Sequence, residues 1–111
     1  MPADSHTFTA ELWLHPGNAG WHFVTLPAAL ADDLRVRAEG RARPFGSLPV
    51  RVIVGETSWE TSVFADTEAA SYLLPVKAAI RRSEGLAAGD VVQLKIELDW
   101  AMDPKDQHDA H

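Results

Sequence analysis

The stretch VRVIVGETSWETSVF, Val50 to Phe64, decides the fold class. Val50 to Val54 is rich in β-branched residues, which suit a pleated, half-buried surface. Gly55-Glu56 has turn chemistry, and Trp59 to Phe64 reads as the returning strand of a hairpin. Along that second strand Trp59, Thr61 and Val63 share one face, while Ser58, Glu60, Ser62 and Phe64 share the other.

Working outward, the same period of two recurs. Phe8, Ala10, Leu12 and Leu14 alternate with Thr7, Thr9, Glu11 and Trp13, predicting a strand from Thr7 to Leu14. His15 to Gly20 is dense in turn formers, and Trp21 to Leu26 is again β-rich, so these strands read as a hairpin with a longer loop. Near the C-terminus Val92, Leu94, Ile96 and Leu98 point inward, against Gln93, Lys95 and Glu97 outward. Gly89-Asp90 reads as the turn before that strand. Ser71 to Leu74 is a short strand.

Two segments change period. Leu30, Leu34 and Ala38 recur every four residues, predicting a helix over Ala28–Ala38 behind Pro27, with Asp32 and Asp33 early and Arg35 and Arg37 late. Pro75 is expected to open a second helix with Val76, Ala79 and Ile80 as its apolar stripe and Gly85 as its end. About six or seven strands with two short helices predict a mostly β protein, a closed or nearly closed barrel.

The chain has 111 residues, 46% hydrophobic and 23% charged, the size and composition of one globular domain. Residues 1–6 and the polar tail 101–111 are expected to be disordered, with the barrel domain over residues 7–100. There is no cysteine, which excludes disulfides, thiolate metal sites and thiol nucleophiles. No apolar run approaches the roughly 20 residues of a membrane span. With no signal-like N-terminus, the expected location is cytoplasmic. The net charge of −6 disfavours general nucleic-acid binding, although five arginines (Arg35, Arg37, Arg41, Arg43 and Arg51) face one acid, Glu39, between Arg35 and Arg51.

The ordered series Trp21, Pro27, Phe45-Gly46, Pro49-Val50, Gly55, Pro75-Val76-Lys77, Arg81 and Gly89-Asp90 resembles the bacterial domain-of-unknown-function family nineteen hundred and five, over roughly Phe8 to Asp99. The resemblance implies a small double-split β-barrel in a single domain. Its architecture is similar to that of swapped-hairpin antitoxins and transition-state regulators, which bind DNA as dimers. It carries no catalytic residues over.

Lys77 and Arg81 are the leading site candidates. At i,i+4 they share a face, repel each other, and have no compensating acid at helical spacing upstream. Two cations beside free helix N–H groups would suit a carboxylate or phosphate. The structural alternative is that both reach solvent, or that Arg81 pairs with Glu84 or a strand carboxylate.

Trp21 and Trp59 are candidates for an aromatic wall, with Ser62 and Arg51 as nearby polar groups; core packing is the ordinary role of such tryptophans. Trp13 and Trp100 read as packing. His15 and His22 flank one turn but lack a third ligand, so no metal is expected, and no cofactor motif occurs. No G-x-S-x-G elbow occurs, GRARPFG lacks the Lys-Ser/Thr of a phosphate loop, and Glu56 and Glu60 show no acid/base pairing, so no catalytic residue is assigned.

The sequence favours a non-enzymatic module binding a small anionic ligand or a peptide, as a monomer or homodimer. The rivals are a DNA-binding, antitoxin-like dimer using the arginine segment, and a cofactor-free enzyme using Lys77 as nucleophile or acid/base group, a role that burial would favour but that no sequence feature shows.

Overall fold

The computed structural model describes residues 5–17, 20–38, 47–66 and 71–98. Six strands and two helices follow in the order β1 (Ser5–Leu14), β2 (His22–Thr25), α1 (Ala28–Ala38), β3 (Ser47–Val54), β4 (Thr57–Asp66), β5 (Ser71–Pro75), α2 (Ala78–Glu84) and β6 (Val91–Glu97). The strands close into an antiparallel barrel in the order β1-β2-β5-β4-β3-β6. A mostly β barrel with two short helices is thus what the alternating pattern builds.

The hairpin over Val50 to Phe64 forms as read and extends further, from Ser47 paired with Phe64 to Val54 paired with Thr57. Gly55 takes φ 58°, a left-handed conformation that a side chain disfavours, and so reverses the chain in two residues. Leu48, Val50, Val52 and Val54 are buried from one side, and Val63 and the half-buried Trp59 come from the other. β6 fills the same interior with Val92, Leu94 and Ile96, followed by Leu98.

β1 begins at Ser5, earlier than the expected Thr7, because Ser5 and His6 pair with Glu97 and Ile96. Phe8, Ala10 and Leu12 face the core as expected, but Leu14 is exposed, at the last hairpin pair against His22.

α1 has the expected bounds. Its Leu30, Ala31 and Leu34 are buried, and it packs on β5. Asp32 and Asp33 lie beyond its first turn; Asp32 pairs with Arg35, and Asp33 lies 3.6 Å from His6 on β1.

The second helix departs from expectation. Pro75 belongs to β5, paired with Phe23, and Lys77 is the extended N-cap residue before a helix that starts at Ala78. Backbone hydrogen bonds explain why. Leu26 N–H donates to the Tyr72 carbonyl and Val76 N–H to the His22 carbonyl, so residues 72, 74 and 76 aim their main-chain groups at β2. Pro75 therefore faces β4 and lacks only a donor that β2 does not need. The β4–β5 ladder runs from Asp66–Ser71 to Phe64–Leu73 and stops one bonded position short of Pro75. Beyond it the strands part.

α2 lies against β4 across that parting and ends at Gly85, φ 66°. Its packing residue is Ile80, with Leu86 just after it, whereas Ala79 is exposed and Val76 is buried ahead of the helix.

Candidate functional site

Where β5 leaves β4, a cavity of about 440 Å³ opens between the start of β2, the middle of β4 and the beginning of α2. Its walls are Trp21, Thr61, Phe64, Pro75, Lys77 and Arg81, with Gly20, His22, Val76 and Ala78 completing it. Three of the expected site residues, Trp21, Lys77 and Arg81, thus meet in one groove. Trp59, Ser62 and Arg51 do not line it. Trp59 packs against the core with a buried indole nitrogen that has no hydrogen-bond partner. Arg51 sits on β3 with its Nε 4.0 Å from Glu97, and Ser62 is half-buried on β4.

The two cations differ in how they are held. Lys77 is exposed, and its carbonyl accepts the N–H groups of Ile80 and Arg81, which are therefore not free for an anion. The site has to be read from side chains. Arg81 is half-buried, and its Nε donates to the Val76 carbonyl at 3.2 Å, which fixes the guanidinium at the groove and leaves its terminal nitrogens for other partners. Among the described residues no carboxylate forms an ion pair with Lys77 or Arg81. Glu84, the nearest acid along the helix, instead accepts the Thr57 hydroxyl and lies against Gly55.

The opposite wall is aromatic. Phe23 stands outside the barrel at the centre of a stack, its ring centroid 5.3 Å from Trp13, 5.7 Å from Trp21 and 6.0 Å from His15. Trp13 is anchored by its indole N–H, which donates to Thr25 Oγ1 at 3.0 Å. Trp21 stacks on Phe23 and remains 52% exposed. The stack escaped the sequence reading because Trp13 and Phe23 meet only through the register that pairs them. Phe64 and Thr61 were likewise missed, although the outward place of Phe64 on β4 was a usable signal.

The histidines of the first turn are locally engaged. His15 Nδ1 accepts the Gly17 N–H, and His22 Nδ1 lies 2.8 Å from the Gly20 carbonyl, which requires that nitrogen to carry a proton.

Of the arginines behind the DNA-binding reading, Arg35 and Arg51 do not line this groove. Arg35 and Arg51 face Asp32 and Glu97, and Arg41 and Arg43 fall outside the described residues. Lys77, the residue of the cofactor-free enzyme reading, is exposed. No helix among the described residues is long and apolar enough to cross a membrane.

A family model described as Domain of unknown function (DUF1905) matches residues 8–96, and the chain belongs to that family. No curated protein matches the chain.

Proposed function

We propose that this member of the DUF1905 family is a non-enzymatic binding module that holds a small anionic ligand in the groove between β2, β4 and α2. The observation that carries this reading is the convergence of Lys77 and Arg81, neither paired with a carboxylate among the described residues, on one largely apolar cavity. Two cations on a shared wall repel each other, and an anion between them removes that repulsion and adds charge-assisted hydrogen bonds. The guanidinium is already oriented by Val76, so little freedom remains to be lost on binding. Most of the lining is apolar with a few polar groups, as in small-ligand sites generally. Among the described residues the lining holds no carboxylate to oppose an anion.

A thermal-shift screen of metabolite anions against the wild type and the Lys77→Ala/Arg81→Ala variant tests the reading. An anion at about 100 times its Kd stabilises the fold by about 2.7 kcal/mol, a shift of several degrees for a domain of this size. The shift is expected in the wild type and absent from the double variant. An anion that stabilises both equally, or a screen in which no anion shifts the wild type, contradicts the proposal.

A further inference from the structure

We infer that the anion taken by this groove carries a flat aromatic ring beside its acidic group; the inference rests on the proposed anion site and names its ligand class. Trp21 is a large apolar side chain left 52% exposed, yet it is not loose. Its ring stacks on Phe23 with an interplanar angle of 27°, and Phe23, itself 8% exposed, rests on Trp13 at 39°. Trp13 is in turn tied to Thr25 through its indole N–H. The series Thr25, Trp13, Phe23, Trp21 therefore supports one indole that is half exposed and lines the groove.

Phe64, 39% exposed, and Pro75 add apolar lining to the same groove. The cavity of about 440 Å³ has room for a ring or two. Ring faces prefer offset stacking at centroid separations of about 4.5–7 Å, and a shelf that is already ordered loses little entropy when a ring lands on it. A saturated skeleton of the same size buries similar area but lacks the stacking geometry. An aromatic acid is therefore favoured over its saturated counterpart, with the acidic group on the Lys77 and Arg81 side.

Calorimetric titration of the full chain with 2-naphthoate and with decahydro-2-naphthoate, equal in charge and carbon skeleton, separates the two claims. The wild type is expected to bind 2-naphthoate about tenfold more tightly, the equivalent of about 1.4 kcal/mol. Trp21→Ala is expected to remove the difference and Trp21→Phe to keep most of it, with thermal melts confirming that both variants fold. Equal affinities in the wild type, or a preference unchanged in Trp21→Ala, overturn the aromatic inference. If binding of both acids is then lost in Lys77→Ala/Arg81→Ala, the anion site itself stands. No binding of either acid, or binding indifferent to the double variant, overturns the anion site as well.

Discussion

The Glu84 carboxylate occupies the space that a side chain on Gly55 would need. The end of α2 is thereby closed onto the β3–β4 turn, and the contact is completed by the Thr57 hydroxyl, which donates to Glu84 and lies 3.0 Å from Ser83 Oγ. Its consequence for the groove is electrostatic. Glu84 is engaged with the turn, so it does not neutralise Arg81 one turn earlier.

Gly55→Ala should destabilise the protein through two separable causes. The left-handed backbone costs about 1–2 kcal/mol with any Cβ, and the new methyl also displaces Glu84. Chemical denaturation of Gly55→Ala, Glu84→Ala and the double variant resolves them. The double variant should lose less than the sum of the single losses, since removing Glu84 clears the collision. Strict additivity, within about 0.5 kcal/mol, would show that the two residues do not meet.

Thr25→Val keeps the shape of β2 but strips Trp13 of its acceptor. Leaving an indole N–H partly buried and unpaired costs about 1–2 kcal/mol. A lower urea midpoint at unchanged slope is expected. An unchanged midpoint would mean that water takes the place of the hydroxyl, and the aromatic stack would then lack the anchor described for it.

Tyr72 gives the barrel a pH dependence at the alkaline end. Burial on β5 holds its phenol above the ordinary value of 10.0, against a smaller opposing pull from Arg35. The folded state thus keeps this proton more tightly than the unfolded chain does. The resulting stability is complete below about pH 10 and is lost as pH rises from there through the raised folded value. Urea midpoints measured through this range should fall less steeply in Tyr72→Phe than in the wild type. Identical slopes would count against a buried phenol.

Much of the barrel was legible in the sequence because period-two alternation in β1, β4 and β6, and the β-branched run of β3, mark strands with one face toward the interior. The Gly55-Glu56 turn was equally plain, since its glycine has a conformational role. Pro75 was misread. A proline suits both a helix start and a strand position facing no partner, and only the pairing of its neighbours with β2 distinguishes the two.

The site was half legible for related reasons. The Lys77 and Arg81 spacing carried a signal, because like charges at i,i+4 violate a local rule. The fate of Glu84 did not, because Thr57 lies 27 residues away in the chain. Trp21 was picked out as an aromatic, but the Trp13 ring that supports its neighbour Phe23 arrives there through the β1–β2 register, which no local pattern encodes.

The central claim, that one groove at the parting of β4 and β5 takes an anion, is tested most directly by titrating ¹⁵N-labelled protein with 2-naphthoate and following backbone amide shifts. Saturable shifts are expected to cluster at Gly20 to His22, Thr61 to Phe64 and Val76 to Arg81, and to be absent in Lys77→Ala/Arg81→Ala. Shifts centred elsewhere, on the outer faces of β3 and β6 for instance, or a spectrum that does not respond at all, would contradict it.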